Sequence, residues 1–552
     1  MAKKIIIHSH FYQPPRENPD TMEIDTENSA FPFQNWNDRI TSECYRANAF
    51  SRYLDSEAHV KKIINNYKYM SFNFGPTLLL YLKKHHPNVI EAIKEADRES
   101  IKLYGEGNAI AQGYNHTILP LDDVDFARTQ IRWSLDDFER FYGRKAKGFW
   151  CPECAISPFV IDLLYEEGIS FVILSPFQID HLDIDGKIIK QKDITNADLS
   201  TPYIINGEKH SISAFFYNGC LSSDISFAHL LRSADNFYKR LLKESEKADL
   251  VMAATDGEIY GHHEPFGDMA FAALTEKMRE GGKLEFTNPA SYLKEHKPQN
   301  SAVLIKGEDN LGSSWSCSHG VSRWYKDCGC ETGGKPGWNQ KWRTPLRFAL
   351  RKTKDVITDL VYSRLTTLGY DPKSTVLNYI KFGVPTGWHT KEVETLLEAY
   401  KWMSYSFTSC GWFFNDISGI ETVHNIQYAL KALELLSLQK AEKEFIDDLK
   451  EAKSNDKEFG NGKEIAERIL LRKHLRDPYA ILDEIKQKGL DEKNASLLKT
   501  ALLLRPKAVA SDFYFDAQNI IYNEIINNRA KGNSYLSYLV ERLDLSKELL
   551  KL

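Results

Sequence analysis

The sequence predicts an α/β fold: a parallel domain of barrel type, followed by an all-helical C-terminal domain. Three observations carry this reading. Strand-like apolar runs alternate with amphipathic helices from Lys3 to about residue 300, the pattern of parallel strands joined by helical crossovers. Polar residues gather where those strands end, as they do at the C-terminal mouth of such barrels. From Thr344 onward strand signals fade and long helical patterns take over.

Taken in order, "KKIIIHSHF" at residues 3–11 is a buried strand that opens into a polar loop. The Pro-bearing "YQPPRENPD" and irregular sequence to about Ile40 follow, and a loop this long in a compact domain usually serves function. "YMSFNFG" alternates as a strand, and "NVIEAIKEADRESIKLYG" is a helix ended by Gly105. "DFARTQIRWSLDDFERFYG" is another, with Phe126, Ile131, Leu135 and Phe138 on one face and Gly143 at its end. "KGFW" and "ISFVIL" are strands on either side of the helix "PFVIDLLYEEG". "SISAFFY" is a strand, and one long helix, "FAHLLRSADNFYKRLLKESEKA", leads into strand "DLVMAAT". The helix "DMAFAALTEKMREGG" leads into "KLEFT". In the second half, "TPLRFALRKTKDVITDLVYSRL", "TKEVETLLEAYKWMSYSF" and "TVHNIQYALKALELLSLQKAEKEFIDDL" are helical, and "KSNDKEFGNGKE" is a polar linker.

A chain of 552 residues exceeds one ordinary core, so two or three domains are expected. Net charge is −5, which gives no reason to expect nucleic acid or an anionic membrane as partner; a neutral substrate fits. "MAKKIIIHSHF" holds too few apolar residues for a signal peptide, and no apolar run reaches membrane-spanning length. Eight cysteines without an export signal argue for free thiols in the cytoplasm rather than a disulfide framework.

Four polar groups follow predicted strands. They are His8, His10 and Gln13; Glu106, Asn108, Gln112, Asn115 and His116; Glu153 after "GFW"; and Asp256 with Glu258 after "VMAAT". On a barrel all four converge on one mouth. A mouth with two separated carboxylates among His, Asn and Trp suits glycosidic bond cleavage. One carboxylate attacks the anomeric carbon and the other protonates the leaving oxygen, the two standing about 5–5.5 Å apart in a retaining enzyme. Glu153 and Asp256 are the natural pair, with Gly257 allowing a sharp turn. The bland alternative is that both cap strand ends.

These motifs resemble glycoside hydrolase family 57, of α-amylase and 4-α-glucanotransferase type. "HSHFYQPP" resembles the family's opening His-x-His motif. "EGNAIAQGYNHTILPL" resembles its second, with His116 and Pro120 in matching places. "GFWCPECA" resembles the W-x-P-E motif of the nucleophile, which implies Glu153, and "ATDGEIYGHH" resembles the acid/base motif, which implies Asp256. The resemblance spans residues 1 to about 290. It implies an incomplete (β/α)7 barrel, a helical domain after it, and retaining double displacement on α-linked glucans. "SWSCSHGVSRWYKDCGC" and "SCGWFFNDISGIETV" resemble a domain of unknown function found after the barrel in one bacterial branch of the family. The domain reading is then 1–300 for the catalytic barrel, 301–343 for a loop-rich Cys/Trp segment bordering the active site, and 344–552 for the helical domain.

Within "GFWCPECAISP", Cys151 and Cys154 frame Glu153 by packing. No thioredoxin-like unit surrounds them, and no second cysteine pair lies nearby in sequence. Cys317, His319, Cys328 and Cys330 are the better candidates for a structural zinc. Their C-x-H and C-x-C spacing is tighter than the usual C-x₂₋₄-C, so no cofactor is expected and buried thiols are the simpler reading. His8, His10, Gln13, His116 and His262 are candidates for binding substrate hydroxyls. Trp150, Trp315, Trp324 and Trp412 are candidates for stacking on sugar rings. Trp412 and Asp416, in "SCGWFFNDISG", are expected to form the far wall of the site from the helical half. The alternative, that Trp412 seeds the helical core, is equally open. Two rival functions remain. One is a metal-dependent carbohydrate enzyme of α-mannosidase or polysaccharide deacetylase type, with His8, His10 and Asp256 as ligands. The other is a non-catalytic carbohydrate-binding protein.

Overall fold

A computed structural model of the chain describes residues 2–474. Its organising strand is β1 (Lys3–Phe11), in which Ile5, Ile6 and Ile7 are all fully buried. Burial on both faces explains why this strand reads as a continuous apolar run and not an alternating one. On one side β1 pairs in parallel with β7 (Leu250–Asp256), which sets His10 opposite Asp256. On the other it pairs with β2 (Ser71–Phe74), which sets His10 opposite Asn73. The wall continues through a parallel bridge from Phe72 to Ala109, then β3 (Ala111–Gln112) and β4 (Gly148–Trp150). It ends with β5 (Phe171–Leu174) and β6 (Ser211–Phe216). The strands thus follow chain order around a (β/α)7 barrel. Between β6 and β7 no ladder forms among the described residues. A backbone bond from Asn218 N to Met252 O, 2.7 Å, spans the gap, and there the barrel is incomplete.

The helices end where glycine permits a left-handed residue. Pro87–Tyr104 stops at Gly105 (φ 78°) and Val124–Tyr142 at Gly143 (φ 71°). Asp123 caps the latter by accepting from Phe126 N at 2.9 Å. The long helix expected from Phe227 before β7 begins only at Ala234 and runs to Ser245, and a separate helix that was not expected, Gly219–Phe227, precedes it. His229 turns left-handed (φ 56°) between them, and Ser233 caps the second. The sheet also runs past residue 300, because Ser301–Leu304 pairs with Ile179–Ile184 and touches Tyr203–Asn206.

The helical half packs directly on the barrel. Its apolar cluster takes in Tyr114, Phe126 and Trp133 from the barrel side. Phe126 meets the rings of Tyr400 and Phe407, and Trp133 Nε1 donates to Val376 O at 2.8 Å. Residues 475–552 of the expected helical domain lie outside the described residues. Among those described, no helix is long and apolar enough to cross a membrane.

Candidate active site

The floor of the mouth is a column of aromatic rings. His8 and His10 point to the same face of β1 because side chains alternate along a strand. Trp150 at the end of β4 stacks on both, at centroid distances of 5.0 and 4.9 Å. His116 stacks on His10 and, at 3.9 Å, on Tyr12. Polar bonds lock the column. His8 lies 3.0 Å from both Ser71 Oγ and Asn73 Oδ1. Asn73 donates to His10 Nδ1 at 2.7 Å and to Gln112 Oε1. His116 reaches Ser409 Oγ at 2.7 Å and His10 Nε2 at 3.3 Å. Burial lowers the pKa of His8 and of His116 to about 3, and lowers that of His10 well below its ordinary value. All three imidazoles are therefore neutral at pH 7.

Glu153 sits on the turn that follows β4, in left-handed backbone (φ 57°), with Cys154 left-handed beside it (φ 50°). Two such non-glycine residues together are strained, at about 1–3 kcal/mol each, so the surroundings must hold them. Trp315 N donates to Glu153 O at 3.0 Å, Ile156 and Ser313 exchange two backbone bonds, and Gln178 Nε2 donates to Cys154 O at 2.8 Å. The carboxylate is also held from one side. Ser316 Oγ (2.7 Å) and Trp315 Nε1 (3.0 Å) both donate to Oε2, while Oε1 takes no hydrogen bond among the described residues. Burial pushes the Glu153 pKa up; the two donors and the charge of Arg323 pull it down. Arg323 is buried, donates to Phe413 O at 2.8 Å, and lies over the Phe413 ring at 3.8 Å. Ser316, Arg323 and Asn73 were missed in the sequence. The signal available for Asn73 was an asparagine inside the apolar strand "SFNF".

Asp256 ends β7 with its side chain open to solvent at the mouth. Protein encloses it on its other sides. That desolvation, joined by the negative charge of Glu153, raises its pKa to about 7, and no donor opposes the shift. Gly257 follows for a steric reason, not for a left-handed turn: a Cβ there would stand 2.3 Å from the Phe11 ring. Glu258 is buried and takes Tyr12 N (3.2 Å) and Tyr45 Oη (2.7 Å). Burial and then Asp256 raise its pKa to about 8.

The other candidates separate. Gln13 is buried beside the Tyr45 hydroxyl, near Glu258. His262 is paired with Glu43 and lies edge-on to Trp36, away from the ring column. Trp150 is fully buried with His8 and His10 against it, so it shapes the floor and offers no free face; Trp315, half-buried at its edge, is the more accessible ring. Trp324 and Trp412 are also fully buried, in the helical core, where Trp412 stacks on Phe407 and carries Arg347 over its ring. Asp416 spends both oxygens on Ser418 N, Ser454 Oγ and Asn455 N. The expected far wall of Trp412 and Asp416 is thus structural. The helical half does reach the mouth, by other atoms. Thr408 Oγ1 donates to Asn115 O, Ser409 N to His116 O, and Phe413 O receives Arg323.

Cys151 and Cys154 are buried free thiols whose pKa values burial raises. Among the described residues, the side chains that converge closely enough to hold a metal ion are Cys317, His319, Cys328 and Cys330. His8, His10 and Asp256 form no such group, and both ring nitrogens of each histidine are already engaged.

Comparison with known proteins agrees with this geometry. The profile described as Glycosyl hydrolase family 57 matches residues 6–305, and a domain of unknown function, DUF3536, matches residues 338–477. No curated relative matches the chain. Among solved structures, the fold is similar to an exo-type maltose-forming amylase from Pyrococcus sp. ST04. That match has 17% identity and TM-score 0.61, and covers 94% of each chain. A branching enzyme from Thermococcus kodakaraensis matches at 14% identity and TM-score 0.53, covering 86% of this chain and 94% of that one. The α-amylase AmyC from Thermotoga maritima matches at 11% identity and TM-score 0.51, covering 84% and 99%.

Proposed function

This chain belongs to glycosyl hydrolase family 57, and we propose that it cleaves α-linked glucans by retaining double displacement, with Glu153 as nucleophile and Asp256 as acid/base. The observation that carries the assignment is the opposed environment of the two carboxyls. Burial raises the pKa of both, but at Glu153 two donors and a nearby guanidinium oppose the rise, whereas nothing opposes it at Asp256, which titrates near 7. Pairs pushed apart in this way divide into the charged partner and the proton carrier.

In the first step Glu153 Oε1 attacks the anomeric carbon as the bond to the leaving oxygen breaks. Asp256 gives its proton to that oxygen. In the second step the Asp256 carboxylate takes a proton from water, or from the hydroxyl of an acceptor sugar, and that oxygen attacks the anomeric carbon and frees Glu153. Water gives hydrolysis and a sugar hydroxyl gives transfer. The neutral imidazoles put no cation beside Asp256, which helps it keep its proton. Of the expected binding residues, half-buried Trp315 is the one left to meet the sugar at the rim, since His116 and Gln13 are buried and engaged within the protein.

The test is Glu153→Gln. An amide cannot form the glycosyl ester, so turnover of maltooligosaccharides is lost while the circular dichroism spectrum stays native. Added azide should yield a glycosyl azide of inverted configuration in a variant such as Glu153→Ala. Wild-type turnover by Glu153→Gln sinks the assignment.

A further inference from the structure

We propose that Cys317, His319, Cys328 and Cys330 bind one zinc ion, and that this site fastens the loop whose Trp315 and Ser316 donate to Glu153. The second half of the proposal rests on the catalytic reading above; the first half does not.

Three of the ligand–ligand separations already match the edges of a tetrahedral site before any ion is added. The four ligand atoms lie within 4.8 Å of one another. Cys317 Sγ is 3.9 Å from Cys328 Sγ and 3.8 Å from Cys330 Sγ, and Cys330 Sγ is 3.5 Å from His319 Nδ1. With Zn–S of about 2.3 Å and Zn–N of about 2.0–2.1 Å, a tetrahedron has S···S edges of about 3.8 Å and S···N edges of about 3.6 Å. A disulfide needs sulfurs at about 2.05 Å. Spacing alone argued against this because C-x-H and C-x-C are short. The chain solves it by folding two short arms, 317–319 and 328–330, against each other. Gly329 takes φ 80° between its two cysteines, and Gly320 takes φ 91° directly after His319.

Charge points the same way. Arg323 and Arg343 are buried beside the cluster, and neither forms an ion pair with a carboxylate among the described residues. Arg343 donates to Cys330 O at 3.2 Å, and Arg323 to Ser316 O at 3.1 Å. Buried guanidinium groups need nearby negative charge. Three thiolates and a neutral imidazole on Zn²⁺ carry a net charge of −1, which adds to that of Glu153 near Arg323. Soft sulfur ligands in a tetrahedron select zinc over the hard divalent ions. Cys328, Cys330 and His319 are only half-buried, which leaves the ion a way in.

The consequence for catalysis follows from sequence. Ser316 and Trp315 immediately precede Cys317, and Arg323 lies between the two arms. Fixing Cys317 fixes both donors to Glu153 Oε2.

The experiment uses the full chain purified without chelator. Inductively coupled plasma mass spectrometry should find one zinc per chain, falling below a tenth in Cys328→Ser and Cys330→Ser. Should those variants fail to fold, wild-type protein exchanged with Co²⁺ gives the same reading, through tetrahedral d–d bands and a thiolate-to-cobalt charge-transfer band. Stoichiometric iron, a Cys317 disulfide in the mass spectrum, or metal-free protein with no cobalt–thiolate band overturns the site. Removing zinc with a mercurial and chelator, then thiol, should lower kcat at least about tenfold, as expected for weakening a donor to a charged group, and zinc should restore it. Unchanged kcat in metal-free protein overturns the coupling alone. Absence of turnover in the untreated, zinc-loaded enzyme would instead count against the catalytic reading.

Discussion

As the proposed acid, Asp256 has to reach the glycosidic oxygen carrying a proton, so its titration should set the basic limb of activity. Its pKa stands at about 7 against an ordinary 3.8. At pH 7 about half of the folded molecules hold the proton, where an ordinary aspartate would hold it in about 0.06%; the site supplies about 800-fold more acid. From pH 6 to pH 9 the protonated fraction falls about ninety-fold, and kcat/KM on a maltooligosaccharide should fall with it. Asp256→Ala removes the acid. Loss on natural glucan should be about 10²–10⁴-fold, the usual worth of a general acid, and the basic limb should vanish. An aryl glycoside with an activated leaving group needs little protonation, so its glycosylation step should be largely spared. Glu258→Gln is the control. Its carboxyl is taken up by Tyr12 and Tyr45, so the limb near 7 should persist. Stability runs in the same direction. Folded Asp256 keeps a proton that the unfolded chain releases above its ordinary pKa, so its contribution is fully present below about pH 4 and lost as pH climbs through 7. Equal losses on both substrates, or a basic limb that survives Asp256→Ala, would refute the assignment.

Ser316→Ala removes the 2.7 Å donor to Glu153. With about 1.5–3 kcal/mol for a bond to a charged group, kcat/KM should fall about 10- to 150-fold and the acid limb should move up, since the charged carboxylate is less stabilised; a pH profile with an unmoved acid limb contradicts the role. Trp412→Ala should cost about 3–5 kcal/mol, read as a lower Tm, because it empties a fully buried site. The KM for glucan should stay constant in the surviving fold, and a raised KM at native Tm would restore Trp412 to the binding site.

What the sequence disclosed was local. β1 is legible because three consecutive isoleucines precede a His-x-His, and helix ends are legible because glycine follows them. Both catalytic candidates stand at strand ends for the same reason: a buried strand reads apolar until it reaches the mouth. What stayed hidden depends on distant partners. β3 is two residues long, too short for any period to register. Ser316 lies 163 positions from Glu153, and nothing in "SSWSCS" names its acceptor. Trp324 and Trp412 looked like platforms because polar and glycine residues surround them in sequence, yet their burial comes from elements far away in the chain. The proposed zinc ligands misled in the opposite sense. Spacing counts residues along the chain, while the site is made by two arms meeting across a loop.

The two carboxyls owe their difference to different parts of the molecule. Asp256 is tuned by the barrel itself, through the enclosure at the end of β7 and the charge of Glu153. Glu153 is tuned from outside the barrel. Its donors come from Trp315 and Ser316, and its nearby cation, Arg323, is held by Phe413 O of the helical half. The same segment reaches the opposite side of the mouth, where Thr408 and Ser409 fasten the loop of Asn115 and His116. A barrel alone would therefore carry both acids while lacking the contacts that set them apart. The helical half thus joins the proposed active site by holding its electrostatics, while Trp412, the stacking face expected of it, is buried in the helical core.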